Sequence, residues 1–289
     1  MSDVSVIGLG EMGSALARAF LAGEKTVTAW SRNPARAAPL QAVGAIGAAT
    51  VADAIAASPV TVICLSDYAA TLSILEGIGV ADTLRGRLMV QLTSGTPREA
   101  RMLAGWVTSR GAEYLDGAIA AWPRHIGGPD AAVTVVGPEA VFSSALPLLK
   151  LLAGNVTYMG SDIGHAMAVF NAALGYFAGH WIGFSYGAAI CEAEGIDPVD
   201  FGEMLAGLSP AFAEDMRHMG RVIADDRFGE PESSIKTVSA DIARLVQLSG
   251  DLNIGRAFPT FAADIFQKAH DAGYSAEEHS AVIKVLRTH

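Results

Sequence analysis

Residues 164–191 read GHAMAVFNAALGYFAGHWIGFSYGAAIC, a run without a single Asp, Glu, Lys or Arg. As a helix it would be about 42 Å long at about 1.5 Å per residue, enough to cross a bilayer, which takes about 20 apolar residues. Its surroundings argue against a span. Asp162 precedes it, Glu192 and Glu194 follow it, and no Lys or Arg flanks it. Membrane helices have basic flanks and few polar residues such as His165, Asn171, His180 and Ser185. The run is therefore expected to be walled in by protein. Gly175, Gly179, Gly183 and Gly187 recur every fourth residue, a small-residue ridge of the kind another helix can approach closely. Glycine costs about 1 kcal/mol in a helix interior, so four of them imply a packing benefit. A helix buried at a subunit interface is the expectation, with a helix buried in a single chain's core as the alternative.

Composition points the same way. Hydrophobic residues make up 51% of the 289 and charged residues 17%, below the roughly 25% usual for soluble domains. Much surface must then be hidden inside or between subunits, and a homodimer is expected. The net charge of −10 repels nucleic acid and anionic membranes, and no basic run offsets it, so neither is an expected partner. Cys64 and Cys191, the two cysteines, are too few for a disulfide framework and lack zinc-type spacing. Reduced thiols, a cytoplasmic location and no metal are expected. The start, MSDVSVIGLGEMG, has Asp3 where a signal peptide carries positive charge, and its apolar run is short and glycine-broken.

Up to about residue 160, short β-branched runs alternate with Ala-rich helical stretches. Strands are expected near Val4 to Gly8, Thr26 to Trp30, Val60 to Leu65, Leu88 to Leu92, Tyr114 to Ile119, Ala132 to Val136 and Val156 to Met159. Such alternation implies a doubly wound, mostly parallel sheet. Beyond residue 160 the texture is long and helical, with a start at Asp197 before Pro198 and breaks around Ser209-Pro210 and Phe258-Pro259.

The segment VSVIGLGEMGSALARAFLAG sets Gly8, Gly10 and Gly13 in G-x-G-x-x-G spacing, after a strand and at the opening of a helix. That context marks a dinucleotide loop: one glycine for the tight turn, one for approach of a pyrophosphate, one for helix–sheet packing. An NAD-binding domain usually carries Asp or Glu about 20 residues on, at the end of the second strand. Here that place reads Trp30-Ser31-Arg32-Asn33-Pro34-Ala35-Arg36, with no acid between Glu24 and Asp53. Asn33 and Pro34 read as N-cap and first position of a helix. This puts Arg36 in a first turn, where a cation opposes the helix dipole unless a phosphate is bound. Ser31, Arg32, Asn33 and Arg36 are the expected 2′-phosphate clamp, and NADPH the expected cofactor.

A second motif, QLTSGTPREA at residues 91–100, pairs Thr96 and Glu99 in a capping box with Pro97 at the first helical position. With Met12 in the glycine loop, the Trp-Ser-Arg strand end, Leu-Thr-Ser-Gly-Thr-Pro, Asp116-Gly117-Ala118-Ile119 and Ile126-Gly127-Gly128-Pro129, the chain resembles NADPH-dependent imine reductases, relatives of the β-hydroxyacid dehydrogenases. The resemblance implies an α/β architecture of three parts: an N-terminal Rossmann domain over 1–160, a long interdomain helix over 161–192, and a C-terminal all-α bundle for dimerisation and substrate over 193–289. It also implies a dimer that exchanges its helical parts, with each active site between subunits. Gly8, Leu9, Gly10, Glu11 and Met12 would surround the pyrophosphate, and Leu65, Ser66, Thr93 and Ser94 would border the nicotinamide side.

Aligned with the β-hydroxyacid dehydrogenases, Ala168 stands where their catalytic lysine would be, and Ala120-Ala121-Trp122 replaces their substrate-gripping Ser-Gly-Gly. Imine reductases commonly carry Asp or Tyr near Asn171, the suspected proton donor. An amide does not titrate, so Asn171 is expected to orient an iminium that arrives protonated, or a water. Trp122, Leu174, Ala178 and, from the partner's bundle, Val238 are the expected pocket. The expected activity is NADPH-dependent reduction of C=N bonds in cyclic imines or iminium ions. A β-hydroxyacid dehydrogenase-like oxidoreductase without its lysine and a non-catalytic NADPH-binding sensor are the alternatives.

Overall fold

Short apolar runs, most of them β-branched, form the strands, and those at the centre of the sheet are buried on both faces. In the computed structural model, which describes residues 1–287, they are β1 (Val4–Ile7), β2 (Val27–Trp30), β3 (Ile46–Gly47), β4 (Val60–Ile63), β5 (Leu88–Gln91), β6 (Glu113–Ala120), β7 (Ala132–Val136) and β8 (Asn155–Tyr158). They form one sheet in the order β3-β2-β1-β4-β5-β6-β7-β8. Every pairing is parallel except β6–β7. All four residues of β1 are buried, and they alternate with the strand period of two. Val4 and Val6 join a core with Leu16, Phe20 and Phe142. Ile7 joins the opposite core with Ile55, Leu75 and Leu103. Helices α1 (Glu11–Ala22), α2 (Ala38–Gln41), α3 (Val51–Ala56), α4 (Tyr68–Leu75), α5 (Val80–Thr83), α6 (Pro97–Thr108) and α7 (Glu139–Leu149) connect the strands. They cover both faces, as a buried parallel sheet requires. β3 has no counterpart among the sequence-expected strands, because its two residues are exposed at the sheet edge and carry no periodicity.

The uncharged run becomes α8 (Gly164–Ala193), one unbroken helix. Its start is fixed from outside the run: Asp162 Oδ1 accepts the Gly164 N–H at 2.9 Å and the Arg101 guanidinium at 2.9 Å. Those two partners hold the Asp162 carboxyl below its usual range. Among the described residues no helix is long and apolar enough to cross a membrane. The glycine ridge divides in two. An added Cβ would meet nothing within 4 Å at Gly175 and Gly179, the Phe258 ring at 3.6 Å at Gly183, and the Phe201 ring at 2.6 Å at Gly187. Its second half therefore makes room for aromatic rings of the same chain rather than for another helix backbone.

The chain falls into two compact units, Met1–Gly175 and the part from Tyr176 onward. The second is all helical: the remainder of α8, then α9 (Pro198–Gly207), α10 (Ser209–Ala224), α11 (Ile235–Asp251), α12 (Ala257–Asp271) and a short α13 (Ile283–Leu286). Asp197 caps α9 by accepting the Val199 N–H at 2.8 Å, and Leu208 separates α9 from α10. The break expected at Phe258-Pro259 lies earlier, at residues 252–256. Pro259 falls in the first turn of α12, where its missing N–H leaves no helix bond unmade. The sealed interior of this unit is small, built from Val222, Phe228, Ile235, Ala269 and Ala281. Phe177, Trp181, Ile182, Met204, Phe212 and Phe261 remain exposed.

Candidate active site

The first turn of the sheet is shaped by glycines that tolerate no side chain. Gly8 has φ +96°, and a Cβ there would lie 2.1 Å from the Cys64 carbonyl oxygen. A Cβ on Gly13 would lie 1.8 Å from the carbonyl oxygen of Gly8. Gly10 is different: its added Cβ would meet only Arg36 Nη1, at 3.9 Å, so this face of the loop stays open. The opening is a cleft of about 510 Å³. It brings together Gly8, Leu9, Gly10, Glu11 and Met12 with Ser31, Arg32, Asn33 and Arg36 from the end of β2, and with Leu65 and Ser66 after β4. Since β1 lies between β2 and β4, the cleft sits where the strand order reverses, at the carboxyl ends of parallel strands.

Asn33 caps as expected, accepting the Ala35 N–H at 3.1 Å. The turn it opens is a three-residue 3₁₀ turn, Pro34–Arg36, with Arg36 at its C-terminal end. One turn aligns too few peptide dipoles to oppose a cation, so the expected conflict at Arg36 does not arise. The case for a phosphate rests instead on place and charge. Arg36 overhangs Gly10, the end of β2 offers no carboxylate, and neither Arg32 nor Arg36 forms an ion pair among the described residues. A dinucleotide with a 2′-phosphate fits this lining.

Two features escaped the sequence reading. A neighbouring cleft of about 640 Å³ shares Leu9, Gly10, Glu11 and Arg36 with the first and adds Arg18 and Arg124. Arg18 stands on the same face of α1 as Glu11, seven residues on, a signal visible in the sequence. Arg124 is brought there by the 3₁₀ turn after β6, which no local pattern announces. The second feature is a fully buried carboxylate, Asp116 on β6. Tyr68 donates its hydroxyl to Asp116 Oδ1 at 2.9 Å and Oδ2 at 2.8 Å, and Tyr114 donates to Oδ2 at 2.7 Å. Burial pushes the carboxyl up to about 7, against the pull of the two tyrosine hydrogen bonds.

That carboxyl has a consequence for stability. Folded Asp116 keeps its proton up to about pH 7 while an unfolded aspartate releases it near 3.8, so the native state binds more protons across this window. Stability therefore falls as pH rises from about 4 to 7 and is level above. Asp116→Asn removes the slope. Urea unfolding at pH 5 and pH 8 is expected to show the variant gaining on the wild type by on the order of 2 kcal/mol at the higher pH.

The second turn, between β5 and α6, is held from three sides. Thr96 and Glu99 form the expected capping box, Thr93 Oγ1 accepts the Leu65 N–H at 3.0 Å, and Gly95 lies against the Tyr68 ring, where a Cβ would come within 2.2 Å. Thr93 and Ser94 border a cavity of about 190 Å³ with Gly117, Ala118, Met167 and Phe170. It shares Met12, Cys64 and Leu65 with the first cleft, so the two are contiguous. Among the described residues that line it, Cys64 alone is ionisable, and burial pushes its thiol up to about 11.

Asn171 does not wall this cavity but stands beside it, donating Nδ2 to the Gly95 carbonyl at 2.7 Å, one residue from Ser94. Trp122 follows β6 and is exposed, with the Arg124 guanidinium 5.9 Å above its ring. Leu174 lies one helical turn beyond Asn171 and is exposed. Neither borders the cavity. Ala178 and Val238 belong to the second unit, Ala178 exposed on α8 and Val238 half-buried in the first turn of α11.

Residues 3–160 match the NAD binding domain of 6-phosphogluconate dehydrogenase. Residues 162–288 match the C-terminal domain of NADPH-dependent reductive aminase-like proteins. An NADPH-dependent reductive aminase from Aspergillus oryzae is 28% identical over 98% of this chain and 97% of its own length. An imine reductase from Myxococcus stipitatus, solved in complex with NADP⁺, superposes with a TM-score of 0.93 at 32% identity, covering 99% of this chain and 100% of that one. A reductive aminase from Aspergillus terreus, solved with NADPH and ethyl-5-oxohexanoate, gives a TM-score of 0.93 at 31% identity with the same coverage.

Proposed function

The chain belongs to the imine reductase and reductive aminase family, and from that premise we propose that it is an NADPH-dependent oxidoreductase reducing C=N bonds to amines. The observation that carries the reading is the cavity beside the cofactor cleft. Among the described residues that line it, none can take a proton from an alcohol, since Cys64 is the one ionisable residue there and its thiol stays protonated. A hydroxyacid dehydrogenase needs such a group, and Ala168 replaces its lysine. An iminium ion needs none, because it accepts hydride as it stands.

NADPH supplies the hydride, and the protein supplies position and electrostatics. Arg32 and Arg36, with Ser31 and Asn33, hold the 2′-phosphate. Gly8, Leu9, Gly10, Glu11 and Met12 receive the pyrophosphate at the opening of α1. Leu65, Ser66, Thr93 and Ser94 border the nicotinamide. Met167 and Phe170 keep water from the reacting carbon, and Asn171 orients the substrate nitrogen.

We further propose residues 1–160 as the dinucleotide-binding domain, 161–192 as the joining helix and 193–289 as the dimerisation and substrate domain. The second unit supports a homodimer, because its small interior leaves a broad apolar face on α8 to α10 uncovered, with Tyr176 at 53% and Trp181 at 49% exposure. In that dimer helical parts are exchanged, and Trp122, Leu174 and Ala178, together with the partner's Val238, complete the substrate pocket. A cytoplasmic location goes with its two free thiols, Cys64 and Cys191. Incubation with NADPH and a small cyclic imine is expected to consume the cofactor, with NADH used far less. Tight NADPH binding without turnover of any imine would favour a sensor, and oxidation of 3-hydroxyacids with NADP⁺ would favour the dehydrogenase.

A further inference from the structure

Both side-chain hydrogens of Asn171 are already engaged. Its Nδ2 donates to the carbonyl of Gly95 at 2.7 Å and to the carbonyl of Met167 at 2.7 Å. A carbonyl oxygen can be faced only by the nitrogen end of an amide, so these two partners fix which end is which. The Oδ1 atom is left over, and among the described residues it accepts no hydrogen bond. Phe170 and Met167, one residue and one turn before Asn171 on α8, and Ser94, next to its Gly95 partner, wall the cavity contiguous with the cofactor cleft. Asn171 itself is exposed beside them. An acceptor with no hydrogen to give therefore stands next to the cavity.

Such a group discriminates by what the reacting nitrogen carries. A protonated imine, C=N–H⁺, offers a hydrogen that Oδ1 can accept, and a hydrogen bond to a charged donor is among the stronger ones. An N,N-disubstituted iminium has the same charge but no N–H, so it offers Oδ1 no hydrogen to accept. We propose that Asn171 makes this chain selective for substrates with an N–H on the reacting nitrogen, protonated imines rather than N,N-disubstituted iminium ions. This rests on the reading of the chain as an imine reductase. In the reaction the iminium carbon gains hydride, the C=N π pair becomes the nitrogen lone pair, and nitrogen keeps its own proton. The products are a neutral amine and NADP⁺, and no proton leaves the chain.

The test pairs two stable cations of equal charge, piperidinium and N,N-dimethylpiperidinium, titrated by calorimetry into the wild-type protein loaded with NADP⁺. The N–H cation is expected to bind about 10- to 100-fold more tightly. Asn171→Leu, checked for folding by NADPH fluorescence, is expected to bring the two within about 3-fold. A matching preference in kcat/KM is expected for a cyclic imine over its N-methyl iminium salt. Equal binding of the two cations by the wild type would overturn the proposal whether or not the variant folds. Comparable reduction of both substrates would overturn the selectivity while leaving C=N reduction intact, and reduction of neither would overturn both.

Discussion

Replacing Arg32 and Arg36 together by alanine is expected to raise the KM for NADPH by about 10²- to 10⁴-fold while changing NADH use by only a few-fold. Each charge-assisted hydrogen bond to a phosphate contributes about 1.5–3 kcal/mol, so two contribute about 3–6 kcal/mol, at roughly 1.4 kcal/mol per factor of ten. Both residues line the cleft that ends at Ser66, and neither forms an ion pair among the described residues. Removing them therefore leaves no buried partner orphaned, and stability should be nearly unchanged. NADPH and NADH kinetics measured side by side check this. A parallel loss with both cofactors would place the arginines outside the 2′-phosphate contact.

Gly13→Ala is expected to cost about 3 kcal/mol of stability or more, and to weaken NADPH binding by about 10²-fold, the scale of a 1 Å displacement in a binding loop. Alanine is the better helix former by about 1 kcal/mol, but the clash outweighs it. The added Cβ would sit 1.8 Å from the Gly8 carbonyl oxygen, a backbone atom that no rotamer change can move. Either α1 backs away from β1 or Gly8 gives up its φ of +96°. Gly105→Ala in α6 is the control: its Cβ would meet nothing within 4 Å, so it should stabilise by up to about 1 kcal/mol. Urea midpoints and fluorescence titration with NADPH read both variants.

The parts of this molecule legible in its sequence are those where one segment decides its own conformation. VSVI, VTVI and LMVQ are short apolar runs and became the buried strands of the sheet centre. Thr96, Pro97 and Glu99 spell a cap that forms as written, and so does Asp197-Pro198. What stayed hidden depends on residues far apart in the chain. Tyr68 and Asp116 are 48 positions apart and Asn171 and Gly95 are 76 apart, so no spacing rule pairs them. The glycine ridge shows why a pattern alone misleads. Four equal steps along α8 meet open space twice and a phenylalanine ring twice, because the neighbours are set by chain topology and not by the helix itself.

Cys64 sits where the two contiguous cavities meet, and its high pKa bears on chemical compatibility. Imines, and the aldehydes and ketones they come from, are electrophiles to which sulfur anions add readily. A thiol that ionises near 11 is present as thiolate at only about one part in 10⁴ at neutral pH, and the anion is the nucleophile. Apolar packing around this sulfur thus guards against self-inflicted covalent adducts, so the chamber can handle reactive carbon without being poisoned by it.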